Sequence, residues 1–377
     1  MAAIGLQTAG AEHDSAATTR AGASTVPFVQ TSEQLEAMLP ALMPPARIAV
    51  DTEADSLHCY FEKLCLIQVS VPGHDWLIDP LAGFSLTPLF DALASKEIIL
   101  HGADYDLRLL RRVGFAGPQR VFDTMIAARL CGVTEFSLAA LSKRHFGIEI
   151  AKASQKANWA RRPLSETMLE YAVNDTRHLH EIADIYEGEL RRLGRWSWFE
   201  QSCERAVRAT EVSKERDLDG VWRISGSGLL RGRAAAILRE LWRWRDEEAR
   251  TLDKPSFHIL HNEQLISAAT RLTEGQHVEF AHLRSGRLSR FREAVRRALE
   301  IPEEEWPQVV RTSKARPTRE EEERFKQLKA RRDAAAAELG LDASLIAPKA
   351  TLENVASQPE EAASRMMLWQ RELLGLS

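Results

Sequence analysis

The first half of the chain carries short apolar runs that predict β-strands. Each run is rich in Ile, Val and Leu and is bounded by Pro, Gly or Asp. The predicted strands are ARIAVDTEAD (46–55), CLIQVSV (65–71), DWLIDP (75–80) and EIILHGA (97–103). The turn-forming sequence PGHD separates the second and third runs, so the first three strands are expected to form an antiparallel meander.

Helical periodicity follows the last of these runs. The predicted helices are DYDLRLLRRVG, TMIAARLCG and SLAALSKRHFG, each closed by a glycine, and then the longer segment SETMLEYAVNDTRHLHEIADIYEGELRRLG. Strands followed by helices, with later strands joined through helices, predict an α/β domain with a mixed sheet flanked by helices.

After about residue 205 the apolar spacing predicts only helices. A proline-containing, densely charged stretch separates two helical parts and is typical of a linker. We therefore predict a disordered tail (1–26), an α/β domain (27–205), an all-α domain (206–305), a linker (306–319) and a second, smaller helical module (320–377).

Composition narrows the class of protein. The chain has 377 residues and a net charge of −4, and no apolar run approaches the roughly 18 residues that a membrane-spanning helix needs. Its N-terminus has no basic start followed by an apolar block, so no secretory signal is predicted. The four scattered cysteines, at 59, 65, 131 and 203, indicate reduced thiols and a cytoplasmic protein.

Acidic side chains end the first predicted strand. The two-residue period of a strand points Asp51, Glu53 and Asp55 to one face, where their charges repel each other unless a cation lies between them. The alternative is a strand end that simply turns towards solvent.

A second acidic pair, Asp104 and Asp106, follows the strand EIIL. Asp104 fits the N-cap of the coming helix, and Asp106 falls in its first turn, where a carboxylate meets the helix dipole favourably. From the residues alone, either could be a metal ligand.

The third acidic position is Asp175, one helical turn after Tyr171. This spacing places a phenol and a carboxylate on one helix face, although a half-buried tyrosine above a solvated aspartate would show the same pattern. Together, the strand, the helix start and the later helix offer about four carboxylates. Two divalent ions would neutralise them, and oxygen-only ligands favour Mg²⁺ or Mn²⁺.

The motifs DTE, HGADYDL and YAVND, in this order, resemble the three exonuclease motifs of the DEDD superfamily of 3′→5′ exonucleases, in its tyrosine-bearing branch. Glu170 stands where the histidine-bearing branch has its histidine. The segments KLCLIQVS, WLIDPL, VFDTMIAARL, NWARRPLSETMLEYAVNDTRHL and WRWRDEEAR extend the resemblance to bacterial ribonuclease D over about residues 46–310. Asn158 departs from the acidic residue common in that family.

The resemblance implies a ribonuclease H-like exonuclease domain at 27–205 and an HRDC-type helical domain at 206–305. It assigns Asp106 as the second-motif ligand, makes Asp104 a cap and leaves Asp55 outside the site. Asp51, Glu53 and Asp175 would hold one metal ion, Asp51 and Asp106 would hold the second, and Tyr171 would orient the attacking water.

The function implied is a metal-dependent 3′→5′ exoribonuclease that trims precursor tRNA and other small structured RNAs and releases 5′-mononucleotides. A 3′→5′ exonuclease acting on DNA is the alternative, and a non-catalytic RNA-binding protein is a further one. The interleaved Trp242, Trp244 and arginines, and the basic segment LRSGRLSRFREAVRRALE, are candidate RNA contacts, although a core tryptophan and solvated arginines would give the same pattern.

Overall fold

The computed structural model describes residues 26–150, 154–212, 220–308 and 316–376. The predicted tail therefore lies outside the described residues apart from its last position, and so does the middle of the predicted linker. Among the described residues, no helix is both long enough and apolar enough to cross a bilayer.

Six strands form one mixed sheet in the order β1-β4-β3-β2-β5-β6. They are β1 (Phe28–Val29), β2 (Arg47–Ala54), β3 (Leu64–Val71), β4 (His74–Ile78), β5 (Glu97–Leu100) and β6 (Arg120–Asp123). The antiparallel meander of β2, β3 and β4 is confirmed, and β5 and β6 join it in parallel. The sequence patterns missed β1 and β6, which are only two and four residues long.

Helices cover both faces of this sheet. They are α1 (Ser32–Leu42), α2 (Thr87–Ala94), α3 (Asp104–Arg112), α4 (Thr124–Leu130), α5 (Leu138–Phe146), α6 (Glu166–Arg177), α7 (Leu179–Arg192) and α8 (Trp196–Glu211). Apolar residues of α1, α2 and α3 pack on one face, and those of α4, α6 and α7 pack on the other. This arrangement confirms the predicted α/β class.

The second half of the described chain is helical, as predicted. Its helices are α9 (Gly232–Thr251), α10 (Asn262–Thr273), α11 (Ser285–Glu300), α12 (Arg319–Leu339), α13 (Ala343–Ile346), α14 (Lys349–Ser357), α15 (Pro359–Ser364) and α16 (Leu368–Leu374). Helices α9 to α11 enclose their own core, in which Trp244 packs edge-on against Phe291.

Two features of the structure cross the predicted domain boundaries. Helix α8 runs without a break across the predicted boundary at 205/206, and its Cys203 is buried in the core of the α/β domain. The C-terminal helices share that same core, where Trp369 of α16 stacks on Trp198 of α8 with ring centroids 5.0 Å apart. The domain limits given above stay predictions.

Candidate active site

Strand β2 places two of the predicted acids side by side in space. Asp51 and Glu53 alternate with buried Thr52, so they share the face that also carries buried Ala49. The pairing with β3 shifts in register directly after Glu53. Asp55 lies beyond that shift, where it is buried, accepts a hydrogen bond from the Lys63 amide at 2.8 Å and pairs with the Lys63 ammonium.

Asp106 reaches the site from the first turn of α3. One carboxylate oxygen, Oδ1, accepts from the Thr52 amide at 3.1 Å and from the Thr52 hydroxyl at 2.5 Å. Asp106 is thereby fixed to the residue that separates Asp51 from Glu53, and it is 5% exposed. A buried carboxylate in this place is explained by the site rather than by the helix dipole alone.

The predicted N-cap role of Asp104 is wrong. The N-cap residue is Ala103, and Asp104 lies within the helix, exposed and paired with Arg108 one turn later. The amides of Gly102 and Ala103 are instead bound by Asp123, at 3.1 and 2.9 Å. Because Asp123 meets the helix entrance from another strand, no local sequence pattern could show this.

Helix α6 brings the third acid. Ser165 caps its N-terminus by accepting from the Met168 amide. Asp175 is 8% exposed, and the Tyr171 hydroxyl donates a hydrogen bond to it. The Gln155 side chain lies near the Tyr171 hydroxyl and slightly opposes the rise in its pKa, and the Trp159 ring lies 6.0 Å from the Tyr171 ring.

Strand β2 and helix α6 bring three of the four acids together. One carboxylate oxygen from each of Asp51, Glu53 and Asp175 lies within 4.8 Å of the others. Oxygen ligands of one Mg²⁺ at roughly 2.1 Å lie about 3 to 4 Å apart, so this set needs only small side-chain movements to share an ion. All donors are carboxylate oxygens, which suits Mg²⁺ or Mn²⁺.

Burial and mutual repulsion raise the pKa values of these acids in the absence of a cation. Burial, followed by the charges of Asp106, Asp175 and Glu53, raises the pKa of Asp51 well above its ordinary value. Burial and the same kind of repulsion raise the pKa of Glu53 to about 9. Burial raises the pKa of Asp175 to about 7 and that of Asp106 to about 6, although hydrogen bonds from Tyr171 and Thr52 oppose the two shifts. A divalent cation would favour the ionised form of all four.

The phenol beside them stays protonated at neutral pH. Burial, followed by the charges of Asp175, Glu53 and Asp51, raises the pKa of Tyr171 above its ordinary value. A phenol of this kind donates a hydrogen bond and does not act as a base.

The sequence patterns also missed residues that support the site. Asp123, 2% exposed, binds the amides of Met125 and Ile126 as well as those before α3 and so joins α4 to α3. The motif VFDT carries an N-cap signal in its Asp-Thr pair, which could have identified Asp123 as the cap of α4.

The helical domain contacts the loop that follows β2. The Tyr60 hydroxyl donates to Asp246 of α9 at 2.9 Å. Asp253, just after α9, accepts from the amides of Tyr60 and Phe61, both at 3.0 Å. The loop that follows the acids of β2 is therefore also the docking point of the helical domain.

Several candidate RNA contacts of the helical domain are either buried or ion-paired. Trp244 and Arg245 are buried, and the Arg245 guanidinium donates to the Leu260 carbonyl, so both are structural. On α11, Arg290 pairs with Glu248 and Arg297 pairs with Glu240. These ion pairs leave α11 less basic than its sequence suggests.

Comparisons with known proteins agree with this architecture. Residues 26–191 match a family described as 3′-5′ exonuclease, and residues 234–276 match the HRDC domain. A ribonuclease D of Jannaschia sp. is 31% identical over 64% of this chain and 64% of its own length. A ribonuclease D of Pseudomonas paraeruginosa is 28% identical over 87% of this chain and 90% of its own.

The crystal structure of Escherichia coli RNase D is 24% identical in sequence, and the match covers 93% of this chain and 96% of that one. Its TM-score of 0.68 shows the shared fold. The matched region spans less than two thirds of the length of several relatives, at 60% to 66%. The chain is thus a homologue of ribonuclease D, with a 3′-5′ exonuclease domain followed by an HRDC domain.

Proposed function

We propose that this protein is a metal-dependent 3′→5′ exoribonuclease that trims the 3′ ends of precursor tRNA and other small structured RNAs and releases 5′-mononucleotides. The observation that carries this proposal is the convergence of Asp51, Glu53 and Asp175 within 4.8 Å, with Asp106 fixed beside them by Thr52. The curated relatives of this chain are named ribonuclease D, which favours RNA over DNA as the substrate.

The donor set supports two divalent ions. Asp51, Glu53 and Asp175 would hold the first, and Asp51 with Asp106 would hold the second. When bound, such a pair supplies an acidified water and neutralises the charge that develops on the leaving oxygen. The protein contributes a rigid frame, since the four acids come from a central strand and from two helices packed on the sheet.

Tyr171 has a positioning role in this proposal. Its hydroxyl bonds Asp175 and lies beside the acids, and its raised pKa keeps the proton on the oxygen. It can therefore hold a water or a phosphate oxygen by donating a hydrogen bond. The Trp159 ring packs near the Tyr171 ring.

The substrate class and the cellular location also belong to this proposal. Escherichia coli RNase D is described as an exoribonuclease involved in structured RNA processing, and we extend that class of substrate to this chain. All four cysteines are free thiols, three of them buried, which fits a reducing cytoplasm.

A time course on a 3′-extended tRNA tests the proposal. The purified full chain is incubated with Mg²⁺, Mn²⁺ or chelator, and the products are resolved by length and by nucleotide analysis. We expect stepwise shortening from the 3′ end, 5′-mononucleotide products and complete arrest by chelator. A matched single-stranded DNA serves as the second substrate.

Each outcome of that experiment is informative. Faster degradation of the DNA than of the RNA would replace the proposed substrate with DNA. Shortening that continues in chelator would refute metal dependence. Absence of any degradation, with RNA still bound, would leave a non-catalytic RNA-binding protein.

A further inference from the structure

Gln68 is a buried polar residue that the site described so far does not use. It is 0% exposed, and neither Nε2 nor Oε1 of its side-chain amide has a hydrogen-bond partner among the described residues. A buried amide without partners destabilises a fold, since its hydrogen bonds to water are lost and not replaced. Such a group therefore needs an explanation at its location.

Its location is beside the acids. Gln68 on β3 pairs directly with Asp51 on β2, and these strands are antiparallel. Residues directly opposite each other in an antiparallel pair project to the same face, with Cβ atoms about 4.5 to 5.5 Å apart. The Gln68 amide thus lies on the face of the sheet that carries Asp51.

Helix α6 covers this part of the face. Ser70, two residues after Gln68 and on the same side of β3, has its hydroxyl 2.7 Å from that of Thr176. Thr176 directly follows Asp175, so Gln68 lies beneath the helix that brings the third acid. Ser70 forms its bond across this interface, whereas the longer Gln68 reaches no partner there.

The neighbouring group that can use an amide donor is a carboxylate. A side-chain amide carries two N–H donors, and a carboxylate oxygen that ligates a cation keeps a lone pair to accept one of them. Partners of this kind orient the carboxylates that bind metals and tune their basicity.

Resting on the function proposed above, we propose that Gln68 is a positioning residue of the metal site, whose amide donates a hydrogen bond to the Asp51 carboxylate when a divalent cation is bound. It acts through Asp51 and does not itself touch the cation. This role would account for a polar side chain at a position where an apolar one would be buried at a lower free-energy cost.

The test substitutes Gln68→Met, which has nearly the same size and no amide, with Gln68→Leu as a second variant. Mn²⁺ affinity of the full chain is measured by calorimetry and by electron paramagnetic resonance, and thermal unfolding is measured in chelator. The matched control is Ser142→Ala, because the buried Ser142 hydroxyl also has no partner among the described residues but lies on α5, which carries none of the acids.

We expect Gln68→Met to weaken Mn²⁺ binding by about 10- to 100-fold. Its unfolding midpoint in chelator should stay the same or rise by about 2 to 4 °C, as an unpartnered amide is removed. Ser142→Ala should leave Mn²⁺ affinity unchanged. In an Asp51→Asn background, Gln68→Met should cause no further loss of affinity, because its partner is already altered.

Mn²⁺ affinity within twofold of the wild type in both Gln68 variants would overturn the inference, and so would a full additional loss in the Asp51→Asn background. Wild-type protein that binds no Mn²⁺ would overturn the inference and the proposed function together. Mn²⁺ binding that depends on Gln68, without hydrolysis of RNA, would refute the proposed function and leave the inference standing. Hydrolysis of RNA with unchanged affinity in the variants would refute the inference alone.

Discussion

Thr52 shows how one residue can organise a charged cluster. It lies between Asp51 and Glu53 on β2, and both its amide and its hydroxyl bind Asp106. The same residue therefore spaces two acids along the strand and anchors a third from a helix. Repulsion among buried carboxylates makes such an anchor necessary, since an unrestrained Asp106 would move away from its neighbours.

Replacing Asp175 should lower activity without lowering stability. We expect Asp175→Asn to lower the rate of RNA hydrolysis by about 10³-fold or more, because a metal ligand contributes several kcal/mol to transition-state stabilisation. In chelator its unfolding midpoint should equal or exceed that of the wild type, because one of the repelling charges is gone. Calorimetric unfolding in chelator and RNA digestion with Mg²⁺ measure the two quantities.

The control for that prediction is Asp184→Asn, since Asp184 is an exposed acid on α7. It should change neither quantity appreciably. A strongly destabilised Asp175→Asn protein would contradict the view that this carboxylate is retained for metal binding and not for the fold.

Removing the hydroxyl of Tyr171 should affect turnover more than binding. Tyr171→Phe keeps the ring that packs near Trp159 and removes the hydrogen bond to Asp175. We expect kcat to fall by about 100-fold, the low end of the range for a residue that assists proton transfer. RNA affinity, measured in chelator so that no hydrolysis occurs, should stay within about twofold of the wild-type value. Equal losses in both would contradict a role in positioning water.

Sequence reasoning found the chemistry-bearing residues more readily than their supports. Two-residue and four-residue spacings showed that Asp51 and Glu53, and then Tyr171 and Asp175, share faces of a strand and a helix. The choice between Asp104 and Asp106 depended on the family resemblance. The bonds of Thr52 and Asp123 join residues far apart in the chain, so no local pattern could reveal them.

At the scale of elements, one arginine holds the segment that leads into α6. Arg162 binds both carboxylate oxygens of Asp79 at the end of β4, at 2.7 and 2.5 Å, and also the carbonyls of Trp159 and Cys65. The segment between α5 and α6 that carries Gln155 and Trp159 is thereby tied to the sheet. This contact fixes the residues that surround Tyr171.

The Asp79–Arg162 contact should make stability depend on pH in the acidic range. Burial alone would raise the pKa of Asp79, but hydrogen bonds and the charge of Arg162 outweigh burial and lower it. A lowered pKa in the folded state contributes stability above the ordinary value of about 3.9, and this stability is lost as pH falls through the folded value. Arg162→Gln should therefore cost about 2 kcal/mol at pH 6 and progressively less below about pH 4.

Urea unfolding of both proteins between pH 3 and pH 7 measures this difference. In an Asp79→Asn background, Arg162→Gln should cost about the same at every pH, because the titrating partner is absent. If Arg162→Gln in the otherwise wild-type protein lowers the free energy of unfolding equally at every pH, Arg162 stabilises the fold through the carbonyl contacts alone.

Element boundaries were predicted less well than element types. The long helical pattern from Ser165 to Gly194 is two helices, because the backbone leaves helical geometry at His178. Both halves keep apolar residues at helical spacing, so the periodicity continues through the break. The short strand β6 was missed because three buried residues are too few to show a period.

At the scale of the whole molecule, the C-terminal helices are part of the exonuclease core. Arg195 is buried and donates to the Leu130 carbonyl at the end of α4 and to the Leu339 carbonyl at the end of α12, both at 2.7 Å. A cation between two helix C-termini is favourable, since both ends carry partial negative charge. Composition suggested a separate module after a linker, and only the tertiary contacts show that its apolar face is buried against α8.

Asp253 should couple the helical domain to the strand that carries the acids. Its backbone has φ of 45°, a conformation that glycine and asparagine adopt more readily than alanine. Asp253→Gly therefore removes the carboxylate without adding backbone strain. We expect faster amide hydrogen exchange at Tyr60 and Phe61, which lose their acceptor, and several-fold weaker binding of structured RNA.

Hydrolysis of a dinucleotide, which offers little RNA beyond the acidic site, should not change in Asp253→Gly. Tyr60→Phe removes the second link, to Asp246, and combining the two substitutions should weaken binding of structured RNA further. Equal losses on the dinucleotide and on structured RNA would mean that Asp253 shapes the acidic site through the loop after β2. The expected difference between the two substrates requires instead that Asp253 orients the helical domain, since a structured RNA can contact both domains and a dinucleotide offers little RNA beyond the acidic site.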